Sequence, residues 1–289
     1  MRFDKIILMG SGKIAYDCLR HLLCIIDKED MQVLETQQSS LSMLDRLCQK
    51  ESIIYSIITA KKEIENFLID EIKDCKTLII SANNRFIFTP NIINGQGVEI
   101  INFHYALLPK YRGMNIPTWV IFNGEKQTGI TWHFVTEKVD HGKVIEQRII
   151  SINETTNAFE ITRKGMALGI EAFRSFIGDL LEKKSEGKDV IYPDEDIIYY
   201  NSNLPMQGIL DLSQPVEDII RLLKSFDYGG MRVIPYLRLC YEENAYEVHK
   251  YKIEETLVIS DRVIEYSDGV LLLKDSNKEI KLYLEEVRE

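Results

Sequence analysis

Strand and helix signals alternate through the first 150 residues, and this alternation limits the fold more than any other feature of the chain. Strands joined by single helices lie parallel and are connected by right-handed crossovers. The pattern therefore predicts an α/β fold built on a doubly wound, mostly parallel sheet. The apolar runs predicted as strands are 5–9, 32–36, 52–58, 77–82 and 98–103, and the helical segments between them are 11–26, 39–50 and 61–74.

The pattern changes after Gly124. Residues 128–135 and 142–152 read as two adjacent strands, which we expect to pair antiparallel. Residues 155–183 carry the apolar stripe of a long helix. A polar stretch at 184–205 is typical of a linker that crosses a surface.

The end of the chain predicts a smaller, β-rich unit. Residues 213–227 predict a helix with Ser213 as its N-cap and Pro215 in its first turn. Short β-like runs follow, separated by turn signals. We therefore expect a main domain at 1–183, a linker at 184–205, and a C-terminal helix plus a small barrel-like β subdomain at 206–289.

Composition excludes several classes of protein. The net charge of −10 argues against a nucleic-acid-binding surface, which needs a basic face to displace phosphate counterions. The five cysteines form no CxxC pair, which favours reduced thiols in a cytoplasmic protein without a disulfide framework or a metal site. No apolar run approaches the roughly 18 residues of a membrane span, and the first residues predict a strand rather than a signal peptide.

The first candidate motif is "GSGKIA" at 10–15, between the first strand and the first helix. It lacks the residues of a P-loop but fits the looser GxGxxA form of a dinucleotide-binding turn. Glu35 lies at the distance along the chain where such folds place a ribose-binding acid. A nicotinamide-dependent dehydrogenase is therefore one hypothesis, and a tight strand-to-helix turn without cofactor is the other.

The second candidate motif begins with "INFHYALLPKYRG" at 101–113. Strand alternation places Asn102 and His104 on one face at the end of a strand, where open α/β sheets build their sites. His133 and Asp140 follow in the next strand and the next loop. Asn, His and Asp side chains that converge at strand ends favour a catalytic site over isolated core residues.

These residues resemble the signature of the N10-formyltetrahydrofolate-dependent formyltransferases, a family that includes methionyl-tRNA, glycinamide-ribonucleotide and amino-sugar N-formyltransferases. The matching segments are Asn102-Phe103-His104, Leu107-Leu108-Pro109-Lys110-Tyr111-Arg112-Gly113, Thr128-Gly129-Ile130-Thr131-Trp132-His133 and Asp140-His141-Gly142. The likeness is close over about 75–150. It implies that 1–183 is the catalytic domain and that the C-terminal unit is the appendage found in several members.

The resemblance also implies roles for single residues. The family's catalytic Asn, His and Asp fall on Asn102, His104 and Asp140. The segment 81–90 looks like the loop that holds the pterin of the formyl donor, which makes Asn84, Arg85, Phe86 and Ile87 cofactor-binding residues together with Asp140. Tyr111, Arg112 and Gly113 are expected to bind substrate, although solvated charges are an equal alternative for Lys110 and Arg112. His133 is expected to support the site, and His141 to be exposed.

The implied reaction is acyl transfer to an amine through a tetrahedral intermediate. Asn102 and His104 supply the hydrogen-bond donor and the proton carrier that such chemistry needs. The co-substrate implied is N10-formyltetrahydrofolate, and no metal is required.

The acceptor amine is harder to predict. The acidic charge disfavours tRNA, and the two-part layout resembles the amino-sugar enzymes best, so we expect a nucleotide-linked amino-deoxysugar. Methionyl-tRNA, and an amine of peptide or siderophore biosynthesis, are the alternatives. A binding module without turnover is a third class of function. The exposed β edges of the C-terminal unit suggest a homodimer.

Overall fold

The structure is a computed structural model that describes residues 3–37, 42–182, 184, 186–193 and 197–287. Within them the chain forms two compact units. The first comprises Met1–Gly113, Gln127–Ser151 and Arg163–Ile198, and the second comprises Met114–Lys126, Ile152–Thr162 and Tyr199–Glu289. These units are not contiguous in sequence, unlike the predicted division at 183 and 205. The assignment of catalytic and accessory roles to the predicted domains stays a prediction.

The first unit contains the alternating strands and helices. They are β1 (Lys5–Gly10), α1 (Gly12–Leu22), β2 (Met31–Glu35), α2 (Met43–Glu51), β3 (Ile54–Ile57), α3 (Lys61–Glu71), β4 (Thr77–Ala82), α4 (Pro90–Ile93), β5 (Val98–His104) and the two-residue β6 (Arg112–Gly113). Strands β7 (Gln127–Phe134) and β8 (Val144–Ser151) follow, and most of helix α6 (Ala158–Leu181) belongs here too. A 3-10 turn lies at Lys28–Asp30.

One seven-stranded sheet organises this unit, in the order β3-β2-β1-β4-β5-β7-β8. The first five strands pair in parallel, whereas β7 pairs antiparallel with both β5 and β8. The predicted doubly wound, mostly parallel sheet is therefore confirmed, as is the antiparallel pairing of the last two strands. Strands β1 and β4 at its centre are apolar along almost their whole length because both of their faces are covered.

The core of the first unit lies on both faces of the sheet. On one face the side chains of β1, β4 and β5 pack with Ile64 and Leu68 of α3. On the other face Trp132 lies 5.1 Å from Phe173 of α6, measured between ring centroids, and Phe103 packs where Gly169 of α6 leaves room. Helix α6 needs this glycine because a Cβ there would lie 2.5 Å from the Phe103 ring.

The second unit is built around a five-stranded antiparallel sheet. Its elements are α5 (Ile116–Phe122), the two-residue β9 (Ile198–Tyr199) at its boundary with the first unit, a 3-10 turn at Pro205–Gly208, α7 (Val216–Phe226), β10 (Leu237–Tyr241), β11 (Asn244–Glu255), β12 (Val263–Ser267), β13 (Val270–Asp275) and β14 (Lys278–Glu286). The sheet order is β10-β11-β14-β13-β12. The apolar face of α7 packs on it, with Leu222, Leu273 and Ile280 in one buried cluster.

One local prediction is wrong. Ser213 does not cap α7, because the helix begins at Val216 with Pro215 as its N-cap residue, and the Ser213 hydroxyl donates to Asp211 instead. The surface linker at 184–205 stays a prediction, and one of its residues pairs with the sheet. Lys188 and Val144 exchange two backbone hydrogen bonds of 2.9 and 2.6 Å, so this part of the segment extends the edge of the sheet at β8.

Across the described ranges, none of the helices combines the length and apolar character that a bilayer crossing requires.

Candidate active site

Three side chains from adjacent strands form one row at the carboxyl end of β5. The strand register sets Ser81 of β4 and His133 of β7 on either side of Asn102. The Ser81 hydroxyl donates to Asn102 Oδ1 at 2.7 Å, which fixes the orientation of the amide. Asn102 Nδ2 then lies 3.2 Å from His133 Nε2 and donates to it. The second hydrogen on Nδ2 remains for another acceptor.

The network fixes the tautomer of His133. Its Nδ1 lies 2.8 Å from the carbonyl oxygen of Phe134, which can only accept, so Nδ1 carries the proton. Neutral His133 therefore presents a lone pair at Nε2, which matches the Asn102 donor.

His104 is buried two residues further along the same strand. Its Nε2 lies 2.7 Å from the carbonyl oxygen of Tyr111, so Nε2 carries the proton and donates to that oxygen. Neutral His104 therefore has its lone pair at Nδ1. That nitrogen lies 3.6 Å from Asp140 Oδ2, so a proton accepted at Nδ1 would be stabilised by a carboxylate.

Asp140 brings the two histidines together. Its Oδ2 accepts a 2.8 Å hydrogen bond from the amide of Gly113, and its Oδ1 lies 3.4 Å from His133 Nε2. The Asp140 side chain is only 11% exposed. Its backbone adopts a φ of +46°, in the left-handed region that aspartate tolerates better than most residues. This conformation is what turns the carboxylate back towards the strand ends.

Burial and charge set the protonation of the pair. Burial lowers the pKa of His104 and outweighs the opposite effect of Asp140. Burial alone would raise the pKa of Asp140, but His104, His133 and the Gly113 amide more than offset it and keep this pKa well below its usual range. At neutral pH the site therefore holds a neutral imidazole beside an ionised carboxylate.

The remaining motif residues shape the turn after β5. Thr131 Oγ1 donates to the carbonyl oxygen of Ala106 at 2.6 Å and accepts from the amide of Leu108 at 3.2 Å. Gly129 leaves room for this turn, because a Cβ there would lie 2.5 Å from the Leu107 side chain and 2.1 Å from a backbone oxygen. The Leu108–Pro109 peptide bond is cis. These contacts place the Tyr111 carbonyl against His104.

Gly142 is required two residues after Asp140. A Cβ at this position would lie 1.7 Å from the carbonyl oxygen of Phe134, so any side chain would push the loop away from β7. The Asp-x-Gly spacing therefore reflects a close backbone approach that holds Asp140 near the strand end.

Comparison with known proteins identifies the family of this chain. A family model described as "Formyl transferase" matches residues 19–177, which is more than half of the chain and includes all the residues above. The chain belongs to the formyl transferase family. The family, the enzyme class and the fold class predicted from the sequence are thereby confirmed.

The curated relatives of this formyl transferase include enzymes that are named for different acceptors. A bifunctional polymyxin resistance protein ArnA of Wigglesworthia glossinidia brevipalpis is 30% identical over 192 residues, or 65% of this chain and 29% of that protein. A methionyl-tRNA formyltransferase of Clostridioides difficile strain 630 is 26% identical over 98% of this chain and 92% of its own length. A GDP-perosamine N-formyltransferase of Brucella melitensis is 26% identical over 72% of this chain and 78% of its own length.

Solved structures share the fold over the whole length. The N-formyltransferase from Helicobacter canadensis, solved with folinic acid and dTDP-3-aminofucose, aligns with a TM-score of 0.73 and 16% identity. The alignment covers 97% of this chain and 99% of that one. At this identity the likeness concerns the fold.

The predicted pterin loop of this formyl transferase is held by Asn84. Asn84 Oδ1 accepts from Thr36 Oγ1 at 2.9 Å and from the Phe86 amide at 3.1 Å, so its side chain is used within the protein. Phe86 is buried, whereas Arg85 and Ile87 are exposed. Of the four predicted cofactor-binding residues in this loop, Arg85 and Ile87 have exposed side chains and Asn84 has a partly exposed one. Binding by all four stays a prediction.

The predicted substrate-binding residues Tyr111, Arg112 and Gly113 face the Asp140 loop. Arg112 is not the solvated charge considered above. It is 5% exposed, and its Nη1 donates to the carbonyl oxygen of Val139 at 3.2 Å. Gly113 offers its amide to Asp140, and Tyr111 its carbonyl to His104. Lys110 is exposed. A role of these residues in substrate binding stays a prediction.

The glycine-rich turn at 10–12 does not need a dinucleotide to explain it. A Cβ on Gly10 would lie 1.9 Å from the Ala82 carbonyl oxygen, so packing between β1 and β4 requires the glycine. Ser11 and Asn83 hydrogen-bond to each other across these strand ends. Glu35, the acid of the dehydrogenase hypothesis, is buried and accepts from Ser42 and Tyr55.

Two features of this site were not predicted from the sequence. The Ser81 contact depends on the β4–β5 register, for which the sequence carries no local signal. His141 was expected to be exposed but is half-buried, because its ring stacks on Tyr192 at 3.8 Å between centroids. Among the described residues, we find no group of three or more His, Cys, Asp or Glu side chains that could hold a metal ion.

Proposed function

We propose that this formyl transferase moves the formyl group of N10-formyltetrahydrofolate to the amino group of a nucleotide-linked amino-deoxysugar. The observation that carries the proposal is the convergence of an oriented Asn102 amide, a neutral His104 and an ionised Asp140 within one buried cluster. Acyl transfer to an amine needs a donor for the developing oxyanion and a group that takes up a proton.

Asn102 is suited to stabilise the oxyanion. Ser81 and His133 fix both ends of its amide, so the remaining Nδ2 hydrogen has a defined direction before substrate binds. A donor that is already oriented needs no reorganisation as charge develops on the formyl oxygen. The amide stays a donor at any pH because it does not ionise.

His104 is suited to take up the amine proton. Its Nδ1 lone pair is available because Nε2–H already donates to Tyr111. The proton that leaves the attacking amine would convert His104 to imidazolium, and Asp140 at 3.6 Å would stabilise that cation. As the bond between the formyl carbon and N10 of the donor breaks, the imidazolium would return this proton to N10, so that tetrahydrofolate leaves as the neutral amine. Asp140 does not need to accept a proton itself.

The formyl donor is proposed to bind the surface next to this cluster. The 83–88 loop follows β4, the strand that also carries Ser81, and so lies at the same sheet edge as Asn102. Its exposed Ile87 offers an apolar contact for a pterin ring, and Asn84 orders its backbone. When bound, the co-substrate supplies the activated formyl group.

The sugar acceptor is supported by two likenesses and by charge. The fold matches the H. canadensis N-formyltransferase over nearly its full length, and the B. melitensis relative acts on GDP-perosamine by name. The net charge of −10 disfavours a tRNA acceptor stem, because each phosphate contact gains from a basic partner.

Methionyl-tRNA remains the second candidate because the C. difficile methionyl-tRNA formyltransferase matches 98% of this chain. None of the relatives named above supports an amine of peptide or siderophore biosynthesis.

An acceptor panel separates these functions. The protein is incubated with N10-formyltetrahydrofolate and either dTDP- and GDP-linked 3-amino- and 4-amino-deoxysugars, methionyl-tRNA, or free amino acids, and the formyl product is measured by mass spectrometry. We expect a kcat/KM on one sugar nucleotide at least about 100-fold above that on methionyl-tRNA. This ratio corresponds to a difference of about 2.7 kcal/mol between the two acceptors in transition-state stabilisation. A preference for methionyl-tRNA would contradict the sugar assignment and leave formyl transfer intact.

A further inference from the structure

The segment 187–192, predicted as part of a surface linker, lies against the loop that carries Asp140. Lys188 pairs through its backbone with Val144, where this loop ends. Gly187 at the start of the segment has a φ of +70°, and a Cβ there would lie 3.0 Å from Lys143 Cβ. The backbone of the 187–192 segment therefore runs beside the Asp140 loop from Gly187 onwards.

Tyr192 makes two contacts on one side of Asp140. Its hydroxyl donates to the Gly142 carbonyl oxygen at 2.9 Å, and its ring stacks on His141 with centroids 3.8 Å apart and planes 21° apart. The two residues that follow Asp140 are thus both held by one side chain. A stacked ring pair stabilises beyond the area that it buries.

Arg112 makes the matching contact on the other side. Its guanidinium donates to the carbonyl oxygen of Val139, which precedes Asp140, and its Cζ lies 5.8 Å from the centroid of the Tyr192 ring. At this distance a guanidinium and a tyrosine ring attract each other. Arg112, Tyr192 and the residues on both sides of Asp140 therefore form one connected group.

Asp140 needs such support. Its φ of +46° is unfavourable for a residue with a side chain and persists only where neighbouring contacts impose it. Its carboxylate must also keep its position relative to His104, because a displacement of about 1 Å can lower the rate of a positioned reaction by about 10²-fold.

We propose that Tyr192 is a positioning residue for formyl transfer, which sets the place of the Asp140 carboxylate beside His104 by holding His141 and Gly142. The inference rests on the proposed function insofar as Asp140 acts in catalysis. Tyr192 does not contact the reacting atoms in this account. It acts through the loop.

Kinetics of three variants test the effect on the reaction. Tyr192→Leu removes the ring stack and the hydroxyl, Tyr192→Phe removes the hydroxyl alone, and Tyr283→Phe on β14 is a matched control. We expect kcat to fall about tenfold for Tyr192→Leu and about threefold for Tyr192→Phe, with the KM of the formyl donor unchanged, because positioning acts on the chemical step. The Tyr283→Phe variant keeps the wild-type kcat. A rise in KM with unchanged kcat would overturn the proposal.

An NMR titration of His104 tests the position of Asp140 without any substrate. Asp140 and His133 are the titratable groups that act on this ring, and Asp140 raises its pKa. Tyr192→Leu should therefore lower the His104 midpoint in the same direction as Asp140→Asn, and should add nothing when it is combined with Asp140→Asn. This result is independent of activity, so it stands even if the protein transfers no formyl group.

Two outcomes of the His104 titration would also overturn the proposal. One is a folded Tyr192→Leu protein, by circular dichroism, whose His104 midpoint equals that of the wild type. The other is a change of the midpoint that is equally large in the wild-type background and in the Asp140→Asn background. If Tyr192→Leu does not fold, Tyr192→Phe takes its place in the same cycle, with a smaller change in the same direction.

Discussion

At the scale of single residues, each member of the site has one task set by its neighbours. Ser81 orients Asn102, the Tyr111 carbonyl selects the tautomer of His104, and the Gly113 amide donates to the Asp140 carboxylate. His133, expected only as a supporting residue, lies between Asn102 and Asp140. The site therefore works through contacts to backbone groups as much as through its own side chains.

The protonation of His104 can be measured directly. Burial lowers the pKa of this ring from its usual 6.5, so we expect its NMR titration midpoint below 6.5, with His104→Gln identifying its resonance among the five histidines. Because the unfolded chain takes up this proton first, His104 contributes stability above pH 6.5 that is lost as the pH falls towards the folded pKa. A midpoint at or above 6.5 would contradict the conclusion that burial outweighs the charge of Asp140 in setting the pKa of His104.

At the scale of elements, the sheet builds the site because the neighbouring strands β4, β5 and β7 place Ser81, Asn102 and His133 side by side. The sequence predicted these strands and the placement of Asn102 and His104 at a strand end, since buried strands and helices have distinct periods. It did not predict the register that sets Ser81 and His133 beside Asn102, because pairing partners depend on contacts far apart in sequence. The backbone pairing of Lys188 with Val144 of β8 was not predicted either, since the polar composition of this segment carries no strand signal.

The close approach at Gly142 can be tested against a second glycine. An alanine Cβ at 142 would lie 1.7 Å from a backbone oxygen, whereas nothing lies within 4 Å of a Cβ at Gly178 in α6. We expect Gly142→Ala to cost about 1–3 kcal/mol as overpacking and to lower kcat by displacing Asp140. Gly178→Ala should instead add about 0.4–1 kcal/mol of stability.

Thermal unfolding and the acceptor assay together measure both effects. Unfolding midpoints that agree between Gly142→Ala and Gly178→Ala would refute the close approach, whatever the activities are.

At the scale of the whole molecule, the chain combines a family-defining first unit with an acidic, antiparallel second unit. The whole-length likeness to the H. canadensis N-formyltransferase concerns the fold, so the nucleotide-linked acceptor stays a proposal. The whole-length likeness to a methionyl-tRNA formyltransferase shows that fold alone does not select the acceptor. The homodimer expected from the exposed β edges stays a prediction that sedimentation equilibrium can test.

The central claim is that Asn102 and His104 carry out formyl transfer. The most direct measurement is the single-turnover rate of formyl transfer from N10-formyltetrahydrofolate to the best acceptor of the panel, for the wild type, Asn102→Ala and His104→Gln. We predict that Asn102→Ala lowers this rate by about 10²–10³, the usual effect of losing one oxyanion donor, and that His104→Gln lowers it by about 10²–10⁴, the usual contribution of a general base. If both folded variants keep rates within a few-fold of the wild type, the account is wrong.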